Sequence, residues 1–99
     1  MKWADYTIVG VHYRDDKRHI LEVKMREDDG EKLINEQRET RQQVVSMLER
    51  GVKIITCYLK DNKWQKGDEV MVVNINNTKF IRTDGDKIEE DNLGELPEY

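Results

Sequence analysis

The chain has a single cysteine, a single proline and no long apolar run. Because Cys57 has no partner in the sequence, an internal disulfide is excluded, and a reducing, cytoplasmic setting is the simplest expectation. The apolar runs are far shorter than the ~18 residues that a membrane helix needs, so we expect no membrane partner. The N-terminus also lacks the apolar region and the small-residue cleavage site of a secretory signal.

Apolar residues are scarce and charged residues are abundant, at 36% and 38% of 99 residues. The apolar residues nevertheless fall in short runs, which indicates a small folded domain with a heavily solvated surface rather than a disordered chain. This length is typical of one domain. We expect a single domain over residues 1–99, with its core in residues 6–83 and an acidic C-terminal clasp in residues 84–99.

Charge is unevenly distributed along the chain, whose net charge is −4. Residues 84–99 carry a net charge of −6, and residues 1–83 carry +2. A strong electrostatic nucleic-acid binder usually has a clearly basic face, so this distribution argues against one. A local basic patch remains compatible with it.

The segment 40–52 has the clearest local pattern and predicts the helix. Thr40 and Gln43 have the spacing of a capping box, in which each side chain accepts a bond from the other residue's amide. Gly51 is suited to the left-handed turn after a helix, and Val52 to a contact with the last turn. The apolar residues that share one helical face are Val44, Val45 and Leu48, with Met47 beside them.

Five segments have strand patterns, and they flank the helix in the order ββαβββ. They are residues 6–14, 18–26, 53–60, 69–75 and 78–83. The first two and the last two form hairpins, and Gly10 indicates a bulge or a close neighbour such as the helix. Residues 27–39 have no clear pattern beyond a turn signal at Asp28-Asp29-Gly30 and a few helical residues before Thr40, and residues 61–68 read as a polar loop. We predict an α+β fold with a mostly antiparallel sheet and one helix packed on one face.

Several segments resemble a known family of small, mainly bacterial proteins. The segments are Ile8-Val9-Gly10-Val11, Arg18-His19-Ile20-Leu21-Glu22-Val23, Leu48-Glu49-Arg50-Gly51, Phe80-Ile81-Arg82-Thr83-Asp84-Gly85 and Asp91-Asn92-Leu93-Gly94-Glu95-Leu96-Pro97. Over roughly residues 6–98 the chain resembles the family catalogued as domain of unknown function 3892. The last segment is the most specific part of the resemblance. The resemblance implies a fold and a compartment, but no activity.

The C-terminal motif has a structural and a functional interpretation. Its residues are Arg82, Thr83, Asp91, Asn92, Leu93, Leu96 and Pro97. We favour a clasp, in which the two leucines dock on the sheet and a polar side chain bonds turn amides. The alternative is a segment that binds a partner.

No residue pattern predicts a metal, a cofactor or a catalytic centre. His12, His19 and Cys57 would make an incomplete zinc site, since such sites need four ligands. The acidic residues Asp84, Asp86, Glu89, Glu90 and Asp91 lack the spacing of a calcium loop. Cys57 lies within a strand and reads as a small core residue. The phosphate loops, nucleophile elbows and dinucleotide fingerprints of known enzyme classes are missing from the sequence.

Two basic segments are the candidate binding surfaces. They contain Arg14, Lys17 and Arg18 at the first hairpin turn, and Lys60, Lys63, Trp64 and Lys66 in the later loop. A basic loop with an aromatic residue suits single-stranded nucleic acid, although such a tryptophan more often seals a small core. We predict a non-enzymatic module that binds an unidentified protein partner. The alternative is weak binding of single-stranded or duplex nucleic acid through these two segments.

Overall fold

The computed structural model describes residues 2–15, 19–84, 91–93 and 96–99. Within them it contains one helix and seven strands. The elements are β1 (Tyr6–Tyr13), β2 (Ile20–Asp28), β3 (Leu33–Thr40), α1 (Arg41–Glu49), β4 (Ile54–Lys60), β5 (Lys63–Glu69), β6 (Met71–Ile75) and β7 (Thr78–Arg82). The predicted α+β class is confirmed, and the predicted order ββαβββ matches only roughly, because β3 and β5 are two further strands.

The main sheet has five strands in the order β3-β2-β1-β4-β5. The β1–β4 pair is parallel and its other pairs are antiparallel, so the sheet is mostly antiparallel, as predicted. The strands β6 and β7 form a separate hairpin. Its turn residues Asn76 and Asn77 have φ values of 50° and 66°. Two positive values in succession are typical of the tight hairpin turns that asparagine tolerates.

Both ends of α1 have the predicted local chemistry. The Gln43 amide donates to Thr40 Oγ1 over 3.2 Å, and the Thr40 amide donates to Gln43 Oε1 over 2.8 Å. At the other end Gly51 has φ of +88°, and the Val52 amide donates to the Met47 carbonyl over 3.1 Å. The capping box and the glycine stop are therefore confirmed. No helix in the described part of the chain is long and apolar enough to cross a membrane.

A bulge in β1 interrupts the alternation of its side chains. The register with β2 shifts between Ile8 and Gly10, so Val9 is the additional residue. As a result Ile8 and Val11 lie in one apolar cluster and Val9 lies in another. A Cβ atom on Gly10 would lie 3.4 Å from the Pro97 carbonyl oxygen. The predicted bulge is present, and the close neighbour is the C-terminal segment, not the helix.

The strand β3 replaces the helical residues that we expected before Thr40. Residues 34–40 are polar or half-buried, and only Leu33 of this strand is buried. The segment lies at an edge of the sheet and pairs with β2 alone. Its backbone bonds to β2, which sequence pattern does not reveal, outweigh the helical propensity of its side chains.

The predicted polar loop around Trp64 is also wrong, because residues 63–69 form β5. The strand contains a bulge between its partners Ile55 and Cys57 of β4. Gly67 lies at this bulge, where a Cβ atom would lie 2.2 Å from Thr56 Oγ1 and 2.7 Å from the Thr56 carbonyl oxygen. The absence of a side chain at Gly67 therefore lets the two backbones approach.

Two apolar clusters cover the two faces of the main sheet. Neighbouring residues Ile54 and Ile55 of β4 point into different clusters. The larger cluster lies under α1 and contains Ile8, Val11, Ile20, Val23, Met25, Val44, Val45, Ile54, Val70, Ile81, Leu93 and Leu96. The smaller cluster contains Ala4, Val9, Leu33, Ile55 and Cys57, with Trp3 and Trp64 packed against it.

The C-terminal segment pairs with the part of β1 that lies beyond its pairing with β4. The β1–β4 pairing ends at Ile8 and Thr56. Further along β1, the Val11 amide donates to the Pro97 carbonyl over 2.9 Å, and the Tyr99 amide donates to the Val11 carbonyl over 3.0 Å. The segment thus continues the parallel pairing of β1 beyond the point where β1 and β4 separate.

Candidate functional site

The second basic segment lies on a β-hairpin, not in a loop. Lys60, Lys63 and Lys66 are exposed on the β4–β5 hairpin, and Trp64 is half-buried between them. Arg14 is exposed after β1. The other two residues of the first basic segment, Lys17 and Arg18, lie outside the described residues.

The β4–β5 hairpin brings Lys63 and Trp64 to the loop between β2 and β3. Together they line a cleft with a volume of about 370 Å³. We call this the tryptophan cleft, and its lining residues are Trp3, Asp28, Gly30, Glu31, Lys32, Leu33, Lys63 and Trp64. Of the seven basic and aromatic residues predicted to bind, two line this cleft.

Backbone bonds to two aspartates fix one wall of the tryptophan cleft. Asp28 Oδ2 accepts bonds from the Trp3 and Ala4 amides over 2.6 and 3.2 Å, and Asp28 Oδ1 accepts from the Gly30 amide over 2.9 Å. Asp29 Oδ1 accepts from the Lys32 and Glu31 amides, which lowers the pKa of Asp29. These bonds hold Trp3 and the β2–β3 loop in position beside Leu33.

Trp64 packs on the smaller apolar cluster and carries a cation on its ring. The Arg26 guanidinium lies 5.2 Å from the ring centroid and forms an ion pair with Glu36 over 3.1 Å. This is the placement that the core interpretation of Trp64 predicts. A further role of Trp64 in binding stays a prediction.

The tryptophan cleft combines apolar side chains with exposed charges of both signs. Lys32 and Lys63 are exposed, and Glu31 is the neighbouring exposed carboxylate. Asp28 is only 6% exposed and its two oxygens accept backbone bonds. The arrangement can hold an apolar group that has a negative charge next to it, because Lys32 and Lys63 lie at the cleft.

Two large apolar side chains are exposed on the same hairpin. Tyr58 is 43% exposed and Leu59 is 59% exposed. Leu59 is the cross-strand partner of Trp64, and cross-strand partners share a face of the sheet. The hairpin therefore combines apolar surface with three lysines.

The residues considered as an incomplete zinc site have other partners. His12 Nδ1 bonds the carbonyl oxygen of Tyr99, while the His19 ring stacks on Phe80 with centroids 5.7 Å apart. Cys57 is fully buried, and its desolvation raises the pKa of the thiol to about 11. Within the described ranges, no group of three or more histidine, cysteine or acidic residues is arranged to hold a metal ion.

The acidic residues considered for calcium are only partly described. Asp86, Glu89 and Glu90 lie outside the described residues. Asp84 accepts a bond from Arg82 over 2.7 Å, and Asp91 accepts one from Arg41 over 2.7 Å. Both carboxylates thus neutralise arginine side chains.

Asp91 of the C-terminal motif bonds groups from three distant parts of the chain. Its side chain is fully buried and accepts bonds from the Ile20 amide over 2.8 Å and the Ile81 amide over 2.9 Å. Arg41 donates to both of its oxygens. Asp91 thereby connects the start of β2, the strand β7 and the first turn of α1.

Other residues of the C-terminal motif bond β7 or are buried in the core. Asn92 exchanges backbone bonds with β7, since its amide donates to Ile81 and its carbonyl accepts from Thr83. Leu93 and Leu96 are buried in the larger cluster, and Arg82 is 1% exposed. These contacts support the clasp interpretation, whose effect on stability stays a prediction.

Three residues of importance escaped the sequence analysis. Trp3 and Lys32 line the tryptophan cleft, and Arg41 neutralises Asp91. The turn Asp28-Asp29-Gly30 gave a signal for the loop that carries Lys32, and the cap at Thr40 marked Arg41 as the first helical residue. The partners of these residues lie far away in sequence, so pattern could not connect them.

Fold and site together define a small α+β domain, with a helix on one face of its main sheet and a tryptophan-lined cleft on the other. The sequence model of the DUF3892 family, described as a protein of unknown function, matches residues 7–97. The chain belongs to this family, which confirms the resemblance seen in its sequence. No curated protein and no solved structure matches the chain.

Proposed function

We propose that this protein is a non-enzymatic module that binds a protein partner through the β4–β5 hairpin. The observation that carries the proposal is the exposure of Tyr58 and Leu59 beside an edge strand of the main sheet. Water-exposed apolar side chains next to open backbone groups favour the addition of a partner strand.

The open edge of β5 supplies the backbone groups for such pairing. This strand is last in the order of the main sheet, and the described residues place no strand on its outer side. The bulge at Gly67 interrupts the ladder, so the regular edge consists of residues 63–66. A partner strand would pair with this short stretch, and Leu59 of β4 would extend the apolar surface on the face that carries Trp64.

The opposite edge, β3, fits a partner less well. Its exposed charges form ion pairs within the protein, between Arg26 and Glu36 and between Arg38 and Glu22. Asn35 has φ of 54°, which interrupts the extended backbone of this edge. Strand β5 has no comparable pairing of its lysines among the described contacts.

Residues 60–66 of the hairpin carry three lysines and one carboxylate, that of Asp61, and this local excess of positive charge selects the partner. Lys60, Lys63 and Lys66 are exposed, so an acidic segment would gain favourable electrostatic interactions along the edge of β5. We therefore propose that the partner segment is extended and acidic.

Selection from a displayed library of random dodecapeptides tests this function. We expect enrichment of acidic sequences that shift amide signals of residues 63–66 in the labelled protein. Methylation of alternate peptide nitrogens provides the matched control, because only one of the two alternating sets should abolish strand pairing. Equal binding by both methylated forms, or shifts confined to other strands, would contradict the proposal.

Nucleic-acid binding is the second candidate, and the half-buried Trp64 among exposed lysines is the observation that favours it. Addition of a 15-nucleotide oligothymidine at low salt would then shift the amides of residues 60–66. Those shifts would disappear steeply as salt increases. An unmoved spectrum would eliminate this candidate and leave the protein partner.

We also propose that the protein acts in the cytoplasm. Cys57 is a free thiol in the core, and a lone thiol suits a reducing compartment. Fractionation of cells that express the full chain would test this location. Recovery in the extracellular fraction would contradict it.

A further inference from the structure

We propose that the tryptophan cleft receives an aromatic or large aliphatic side chain from the acidic partner segment. This inference rests on the proposed function and adds the anchor that gives the partner its specificity. The cleft would bury the anchor while the rest of the segment follows the β4–β5 hairpin. In protein interfaces, a few such anchors in pockets supply most of the binding free energy.

The size and lining of the cleft suit a side chain. Its volume of about 370 Å³ is at the low end of the roughly 300–1,000 Å³ that ligand pockets span. Trp3, Leu33 and Trp64 supply the apolar surface. This volume has room for one aromatic ring, and a large cofactor would not fit.

The walls of the cleft are fixed before a ligand arrives. Asp28 accepts bonds from the amides of Trp3 and Gly30, and Trp64 packs on the smaller cluster. An anchor therefore enters a site that requires little ordering, which reduces the entropic cost of binding.

The charges around the cleft favour a peptide over a nucleic-acid strand. Lys32 and Lys63 attract a carboxylate next to the anchor, while Glu31 and Asp29 on the same loop repel a continuous phosphate backbone. A peptide can place a carboxylate beside each lysine and no charge near the acidic residues. A polynucleotide carries a charge on every unit.

Two synthetic heptapeptides test the anchor. Both have the sequence Glu-Ser-Asp-X-Glu-Ser-Asp with blocked ends, and X is phenylalanine in one and alanine in the other. Amide spectra of the full chain give both affinities. We expect the phenylalanine peptide to bind roughly tenfold more tightly. Its additional shifts should lie on the lining residues of the cleft.

Variants of the protein distinguish binding of the anchor in the tryptophan cleft from pairing of the peptide with β5. Trp3→Ala should remove the preference for phenylalanine and leave the binding of the alanine peptide unchanged. Lys32→Glu should weaken both peptides, whereas Lys53→Glu, an exposed lysine outside the cleft, should not. Melting curves of each variant show that the fold is retained.

Three outcomes would overturn the inference. Equal affinity for the two peptides, with shifts on residues 63–66, would leave the proposed function intact but eliminate the anchor. A preference for phenylalanine that survives Trp3→Ala would place the anchor elsewhere. If neither peptide bound at millimolar concentration and oligothymidine shifted the amide signals of the cleft, nucleic acid would be the ligand of the cleft instead of a peptide.

Discussion

Single residues determine how closely neighbouring strands approach in this fold. Gly67 lies against the backbone of Thr56, and Gly10 lies against the Pro97 carbonyl. Gly51 is different, because nothing lies within 4 Å of a Cβ atom there and its φ of +88° is the constraint. Space limits the residue type at the first two positions, and backbone conformation limits it at the third.

We expect Gly67→Ala to destabilise the protein by about 3 kcal/mol, at the upper end of the cost of overpacking. The new methyl group would overlap Thr56 Oγ1 and the backbone carbonyl, which cannot rotate away. Gly51→Ala is the control and should cost about 1–2 kcal/mol, since only its left-handed conformation is unfavourable. Denaturant titrations measure both. A smaller loss for Gly67→Ala than for Gly51→Ala would contradict this geometry.

Cys57 should react only when the protein unfolds. Burial raises the pKa of its thiol to about 11, so the nucleophilic thiolate is scarce at neutral pH and also inaccessible. At pH 8 we expect iodoacetamide to modify the native protein at least about a thousandfold more slowly than the unfolded chain. Similar rates of modification for the native and the unfolded protein would show that β4 opens locally and exposes Cys57.

The raised pKa of Cys57 also determines whether the stability of the protein rises or falls with pH. The ordinary thiol pKa is 9.0, so between pH 9 and about 11 the unfolded state loses the proton first. The contribution of the Cys57 thiol to stability is therefore fully present below pH 9 and is lost as pH rises through this interval. Cys57→Ala should show a shallower fall than the native chain in denaturant titrations.

Elements of this fold differ in how much of their structure is local. The helix α1 has its cap, its stop and its apolar face within one short segment, and all three were predicted from sequence. The strands β3 and β5 have polar side chains and lie at the two edges of the main sheet. Their structure depends on backbone bonds to strands that a sequence pattern does not identify, which is why both were missed.

Thr40→Ala should lower the free energy of unfolding by about 1 kcal/mol, because the first turn of α1 loses its side-chain acceptor. In a domain of this size, that corresponds to a decrease in melting temperature of roughly 4–8 °C. Thr40→Ser retains the hydroxyl and should melt within about 2 °C of the native protein. Identical melting of the alanine and serine variants would show that the cap contributes nothing.

At the scale of the whole molecule, the C-terminal segment connects elements that are far apart in sequence. Asp91 bonds β2, β7 and α1, while residues 97–99 continue the parallel pairing of β1. A single buried carboxylate thus connects the main sheet to the separate hairpin and to the helix. Its burial is compatible with its charge because Arg41 donates two bonds to it.

Asp91→Asn should destabilise the protein by about 2–3 kcal/mol, since bonds to a charged acceptor are lost and Arg41 loses its counter-ion. Asp68→Asn is the matched control, because Asp68 is exposed, and it should change stability by less than about 0.5 kcal/mol. Thermal unfolding of both variants provides the comparison. Equal melting temperatures would contradict the role of Asp91.

Removal of residues 91–99 tests the clasp as a unit. The shortened chain loses Asp91 and the burial of Leu93 and Leu96 in the larger cluster. We expect the melting temperature to fall by several degrees at least, at ~4–8 °C per kcal/mol. An unchanged melting curve would show that the segment is free to serve a partner instead.

The sequence by itself determined the helix with both of its ends, the Asn76-Asn77 hairpin and the α+β class. Family membership followed from the C-terminal motif. These features depend on residues close together in the chain, where side-chain chemistry acts directly on the local backbone. Only the tertiary structure decided the edge strands, the partners of Asp91 and the cleft between Trp3 and Trp64. Each of these requires groups from distant segments, and their contacts exist only after the sheet has formed.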